Sequence, residues 1–228
     1  GGSLVVMNSS VSKVNTSGVE LWNYKNTAQG NTPSLECATE DIDGNYVMAG
    51  ISDRHWGTDV SAEYTISKLS PSGQELWLKY GGTTLYNRPS DIIAESNGNI
   101  LIFGTAEYLG KNYLEYNDSK VSFWLNWCKG NGEFIKQKLY PNQYKAEDVA
   151  GKIVATPDNN YLLLGTSVAN LPPYYYGQDY IPRFVKITTD GNAIWDKNYY
   201  LNSGGSSAMP IFRDICNIDN DRNLILTL

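Results

Sequence analysis

The chain has 228 residues, 18 Lys and Arg against 24 Asp and Glu, a formal net charge of −6 and a pI near 4.8. An acidic chain with no basic cluster excludes nucleic acid as a partner, because phosphate contacts require Lys or Arg. No apolar run reaches the length of a spanning helix, and the chain is long enough to bury a core without metals or disulfides.

The composition is that of an all-β protein. Tyr occurs 17 times and Gly 21 times, and Val, Ile, Thr and Trp are frequent. Nowhere is an apolar period of 3.6 residues sustained, so helix is at most a minor component. The strands predicted in chain order lie at about 5–14 and 19–25, then 35–40, 45–51, 61–69 and 74–80. Next come about 90–95, 99–105, 119–128 and 133–140, then 148–155, 160–166, 181–188 and 193–200, and finally 211–218 and 223–228.

Two repeated segments organise these strands. DGNYVMAG (43–50) recurs as NGNILIFG (97–104), DNNYLLLG (158–165) and DRNLILTL (221–228). Each is a polar turn followed by an apolar run, the pattern of a strand buried on both faces. Out of phase with it runs a strand, a turn ending in Gly, and a second strand, with turns NTSG, SPSG, KGNG and TTDG ending at Gly18, Gly73, Gly132 and Gly191. In this hairpin Lys13 precedes Trp22, Lys68 precedes Trp77 and Lys186 precedes Trp195, each by nine residues. The remaining copy reverses the order, with Trp127 before Lys136. A reciprocal exchange at fixed spacing marks these residues as cross-strand neighbours, with the Lys stem and ammonium free to lie on the indole.

Each full repeat therefore holds four strands. The N-terminus supplies the last two strands of a copy and the C-terminus the first two. The expected fold is a four-bladed β-propeller with four antiparallel strands per blade, closed by the N- and C-terminal strand pairs. The blades would be 33–82, 88–141 and 146–201, with a split blade of 1–28 and 208–228, all in one domain. A fragment of a longer propeller is the alternative. Closure requires residues 5–14 to lie alongside 223–228.

The stretches KLSPSGQELWLKYGG (68–82) and KITTDGNAIWDKNY (186–199) resemble bacterial propeller repeats related to quinoprotein (PQQ-like) repeats. The resemblance spans nearly the whole chain and speaks to fold more than to function. It implies a secreted or surface protein, placed outside the cell, on its surface or in the periplasm, and leaves open a lipid anchor at the N-terminus. No secretory leader is legible in the chain itself. The chain departs from the pattern in the Trp127/Lys136 exchange, in lacking Gly-Gly after Tyr140 and Tyr199, and in long insertions in the second and third full copies.

In such a blade the loops after the second and fourth strands share one end. Here they are long and aromatic, and irregular loops on a rigid frame are where binding usually resides. The candidate ligand-binding residues are His55, Trp56, Tyr108, Tyr113, Tyr116, Tyr174, Tyr175, Tyr176 and Tyr180. They suit a glycan, a peptide or a protein partner, or they simply pack on one another. One His cannot build a multi-histidine metal site. The calcium-like spacings Asp41-x-Asp43-x-Asn45 and Asp219-x-Asp221-x-Asn223 lack the later bidentate Glu and read as plain turns. Cys37, Cys128 and Cys216 read as buried thiols, with a Cys37–Cys216 disulfide as the lesser alternative. The sequence thus leads to a non-enzymatic exported binding or scaffold module without cofactor or metal. The alternatives are a carbohydrate-active enzyme using loop carboxylates such as Glu107 and Asp118, and a purely structural repeat of a surface assembly.

Overall fold

The computed structural model describes residues 2–7, 9–25, 34–52, 63–81, 86–108, 120–142, 147–169, 179–199, 214–217 and 224–227. Among them there is no helix, and the regular structure is seventeen strands. The first sheet is β1 (Ser3–Met7), β2 (Ser10–Val14) and β3 (Glu20–Lys25). The second is β4 (Ser34–Glu40), β5 (Tyr46–Ser52), β6 (Glu63–Leu69) and β7 (Glu75–Gly81). The third is β8 (Tyr86–Ala94), β9 (Ile100–Tyr108), β10 (Lys120–Cys128) and β11 (Phe134–Tyr140). The fourth is β12 (Glu147–Ala155), β13 (Tyr161–Ala169), β14 (Asp179–Ile187) and β15 (Ala193–Asn198). β16 (Asp214–Asn217) and β17 (Leu224–Thr227) form a separate pair.

All pairings are antiparallel and sequential, so each sheet is a meander. β4, β8, β12 and β16 lie against one another in succession, and β1 lies against β4. This succession of face-packed sheets is compatible with the radial order of a propeller. The strands expected from about residue 35 to 200 are all present, with ends shifted by at most four residues.

No closed ring is found among the described residues. The expected strand 5–14 is two strands, because the chain reverses between Met7 and Ser10. β1 then pairs with β2, placing Leu4 opposite Lys13 as Val47 stands opposite Lys68 in the second sheet. It occupies the position that the repeat pattern had assigned to 223–228, while β17 pairs only with β16. A hairpin closed over two residues has a far smaller chain-entropy cost than pairing the chain ends. The alternation of β1 also fits, with Leu4 and Val6 packed inward and Val5 and Met7 exposed.

The core lies between sheets. Val11, Leu4, Val6, Trp22 and Tyr24 of the first sheet meet Leu35, Tyr46, Met48 and Leu69 of the second. Val47, Ala49, Tyr64 and Ile66 of the second meet Ile92, Ile100, Ile102 and Trp124 of the third. Leu101, Phe103, Leu125 and Trp127 meet Ile153, Tyr161, Leu163 and Val185 of the fourth. A run that alternates sides and is apolar on both, such as β5, is thus explained by its being sandwiched between two neighbours.

Two glycine positions carry the geometry. The first strand of each full sheet bulges, between Leu35 and Cys37, Pro89 and Asp91, and Ala150 and Lys152. The residue opposite is Gly50, Gly104 or Gly165, where a Cβ would sit 1.9, 2.1 or 2.2 Å from a backbone oxygen of the bulging strand. The second position is the turn glycine at 18, 73, 132 and 191, held at φ between +77° and +83°. A Cβ would fall 2.5 Å from the ring of Trp22 at Gly73, 2.8 Å from Trp77 at Gly132 and 2.6 Å from Trp127 at Gly191. Each of the first three sheets therefore seats its Trp beneath the turn of the next.

This seat explains the exchange of Lys and Trp. All four pairs are cross-strand neighbours: Lys13 with Trp22, Lys68 with Trp77, Trp127 with Lys136 and Lys186 with Trp195. Either strand of the hairpin can deliver the indole to the next turn. The expected stacking of Lys on its paired indole holds only for Lys136, 4.7 Å above Trp127. Lys68 instead binds the Asp41 carboxylate at 2.6 Å and Gly130 O at 3.3 Å, and Lys186 binds Asp158 at 2.6 Å. A full carboxylate outcompetes a ring quadrupole.

Candidate functional site

Of the aromatic-end residues, His55, Trp56, Tyr113, Tyr116, Tyr174, Tyr175 and Tyr176 lie outside the described residues, as does Asp118. Tyr108 ends β9 opposite Lys120, and Tyr180 lies near the start of β14 opposite Val168. Both backbones therefore stand at the end of the sheets where the long loops leave. The Asp41 turn is a plain turn: its carboxylate accepts the Asp43 and Asn45 N–H groups at 2.9 and 2.8 Å and pairs with Lys68. Asn45 Nδ2 also donates to it at 3.3 Å. Cys37 and Cys128 are buried and free, so Cys37 forms no disulfide with Cys216.

The largest buried polar group near the loop end is Arg183 on β14. Its Nε and Nη2 bind the Asp196 carboxylate at 3.1 and 2.6 Å, and Nη1 binds Asp148. Nη1 also donates to Tyr140 O at 2.8 Å and Nη2 to Pro141 O at 3.2 Å. All five guanidinium N–H groups are thereby used, and the plane lies 4.9 Å from the Phe123 ring centroid. Asp148 receives Ser167 Oγ at 2.7 Å and Asn142 Nδ2 at 3.2 Å. Burial pushes the Asp148 carboxyl up, and Arg183, Ser167 and Asn142 pull it back. A cation with two carboxylates and no spare donor ties the 140–142 connection to the fourth sheet. It has nothing left to offer a ligand, so this cluster is a clamp.

The successive first strands β4, β8 and β12 carry a different set. Arg88 of β8 stands 3.7 Å from Glu36 of β4, and Lys152 of β12 stands 3.4 Å from Asp91 of β8. Ser34 Oγ donates to Glu36 at 3.0 Å, and Asp91 accepts the Ile153 N–H at 3.0 Å. The side chains of Arg88 and Lys152 are 59% and 41% exposed, whereas those of Glu36 and Asp91 are 24% and 12% exposed. The anions sit low and the cations reach outward. Burial pushes the Asp91 carboxyl up, against the pull of Lys152 and of the Ile153 and Ile92 N–H groups. Glu36 is itself the residue extruded by its strand's bulge, which re-aims its side chain. Sequence reading passed over all four, since isolated charges on apolar strands show no motif. The recurring glycine opposite each bulge was the available signal.

Among the described residues no group of three or more His, Cys, Asp and Glu side chains could hold a metal ion. No helix among them is long and apolar enough to cross a membrane.

No protein-family model matches the chain, and no curated protein matches it. Solved structures do. A point mutant of the Synechocystis apocarotenoid oxygenase is 13% identical with a TM-score of 0.48, over 86% of this chain and 46% of that one. A chimera of apocarotenoid oxygenase and RPE65 gives the same figures. The cobalt-substituted Synechocystis enzyme is 15% identical with a TM-score of 0.46, again over 86% and 46%. The chain thus spans less than half the length of these proteins. They correct two expectations: the solved neighbours are oxygenases rather than quinoprotein-like repeat proteins, and enzymes rather than non-enzymatic binding modules. At such identity and TM-score the likeness supplies this chain with no activity, substrate or residue role.

Proposed function

We propose that the sheets are blades of a β-propeller and that the protein acts at the inner surface of its first strands, on a small polar molecule bearing both charges. The observation that carries this reading is the alternation of Glu36, Arg88, Asp91 and Lys152 over three successive strands. Two exposed cations offer donors to a carboxylate, and the two shielded anions offer acceptors to an ammonium. A few convergent polar groups on a rigid wall are what a small-molecule site requires, whether the molecule is turned over or only held.

The test is a thermal-shift and calorimetric screen of amino-acid-like zwitterions against neutral sugars of equal size. A zwitterion should raise the melting temperature and sugars should not. Arg88→Gln and Lys152→Gln should each abolish the shift; Arg88→Gln should leave the unliganded melting temperature within about 2 °C, as expected for an exposed charge, whereas Lys152→Gln also removes the cation beside the shielded Asp91 and should lower it. No zwitterion response, or a response indifferent to both substitutions, removes the reading.

A further inference from the structure

The bulges put equivalent residues at one position of each successive first strand. Glu36 in β4, Ser90 in β8 and Gly151 in β12 are each the extra residue that no residue of the second strand opposes. Glu36 belongs to the charged set described above. Ser90 does not, yet it lies within that set. Along β8 the order is Arg88, Pro89, Ser90 and Asp91, so one short stretch carries a cation, a hydroxyl and an anion.

All three have capacity to spare. Among the described residues Arg88 makes only its 3.7 Å contact with Glu36, which is longer than a hydrogen bond and leaves the guanidinium N–H groups open. Ser90 is half-buried, and among the described residues its hydroxyl has no hydrogen-bond partner. Asp91 accepts the Ile92 and Ile153 N–H groups and meets Lys152 Nζ at 3.4 Å. A carboxylate has about four lone-pair sites, so one is left.

The strand ladder sets the distance between the two charges. Arg88 is paired with Thr105 and Asp91 with Phe103, two steps along β9. At about 3.4 Å per step the separation is about 7 Å. Pro89 stands between them with its φ fixed by the ring, so a stiff backbone holds the spacing. An α-amino acid spans only about 3.5 Å, two residues of extended peptide span about 7 Å, and three span about 10 Å.

We infer that the zwitterion is a dipeptide, with its carboxylate on Arg88, its ammonium on Asp91 and its central amide on Ser90 Oγ. The inference rests on the zwitterion reading above and narrows it. Lys152 serves the ammonium end indirectly, by drawing the Asp91 carboxyl toward its ionised form against the effect of burial.

The experiment is calorimetric titration of the whole chain with glycine, glycylglycine, triglycine and δ-aminovalerate. The last has the length and both charges of glycylglycine without its amide. Glycylglycine should bind at least about tenfold more tightly than glycine, which reaches one charge only, and than triglycine, which overshoots. δ-Aminovalerate should bind about two- to tenfold more weakly than glycylglycine, the worth of one hydrogen bond. Ser90→Ala should bring glycylglycine down to the level of δ-aminovalerate and leave δ-aminovalerate unchanged. The comparison is between two ligands on one variant, so a loss of folded protein does not imitate it. Glycine or triglycine binding as tightly as glycylglycine overturns the dipeptide and leaves the zwitterion reading standing. Equal weakening of glycylglycine and δ-aminovalerate by Ser90→Ala, or of neither, overturns the place given to Ser90. Binding of none of the four overturns the dipeptide together with the reading beneath it.

Discussion

Replacing Gly132 by Asn tests the seam between sheets directly. A Cβ at Gly132 would lie 2.8 and 2.9 Å from the Trp77 ring and 3.0 Å from Lys79 Cδ. Carbon atoms rest at about 3.5–4.0 Å, so the indole must retreat by about 0.7 Å or more from a packed seam. Overpacking of this size costs about 1–3 kcal/mol. Gly98→Asn is the control. Gly98 has φ +84° against +77° for Gly132, and nothing lies within 4 Å of its Cβ. The cost of a left-handed Asn is therefore common to both and cancels in their difference. In a chain of this length, about 1–3 kcal/mol is about 2–12 °C in melting temperature. Urea titration followed by Trp fluorescence, with calorimetry as a second probe, measures the gap. In a Trp77→Ala background the gap should vanish, because the obstructing ring is gone. Equal costs at 98 and 132, or a gap untouched by Trp77→Ala, would refute the seat.

Three further outcomes follow from the buried groups. Arg183→Met should destabilise the protein by about 3–5 kcal/mol, since it strands Asp148 without its cation. The loss should shrink as pH falls, because a carboxyl raised by burial binds a proton more readily folded than unfolded, so the destabilisation builds as pH rises above the unfolded pKa and is complete above the folded one. Stability measured between pH 3 and pH 8 checks the sign. Asp91 is likewise raised by burial, so it subtracts stability as pH rises through its folded pKa. Asp91→Asn, which keeps an acceptor for the Ile153 N–H, should flatten that part of the profile. Burial pushes the Cys128 thiol up to about 11 and the Cys37 thiol well above its ordinary value. Neither should react with a disulfide reagent at pH 8 until urea unfolds the chain, and prompt labelling of either in the native state would contradict their burial.

The strand pattern was legible because each apolar run is bounded by a turn with its own chemistry, as in Asp43-Gly44-Asn45 before β5. The Lys and Trp pairing was legible from a fixed spacing. What the indoles touch was not, because the partner is a glycine some fifty residues or more away, and a glycine has no side chain to signal contact. The first strand was misread for a related reason. Residues 5–7 are apolar and are followed by the polar cluster Asn8-Ser9-Ser10, but the reversal between Met7 and Ser10 has no Gly or Pro to announce it. The charged residues on the first strands were illegible singly. Arg88 and Glu36 lie on different sheets and meet only because β8 follows β4 around the fold.

The repeated glycine before each long loop shows how fold and site are linked. Gly50, Gly104 and Gly165 read in sequence as the ends of apolar runs, yet each exists because its neighbour strand bulges toward it. At Gly104 a Cβ would meet Arg88 O at 2.1 Å and Arg88 C at 2.9 Å, both backbone, which cannot swing aside as a side chain does. Gly104→Ala should therefore cost more than the roughly 1–3 kcal/mol of ordinary overpacking, or else flatten the bulge between Pro89 and Asp91. Flattening shifts the register by one residue and turns alternate side chains to the other face. Arg88 would then leave Glu36 while Asp91 keeps or loses Lys152 according to which half of β8 moves. Urea titration of Gly104→Ala, together with the zwitterion response of whatever fraction folds, separates the two. A variant as stable as the wild type and unchanged in ligand response would mean that the bulge neither needs its glycine nor aims the charges.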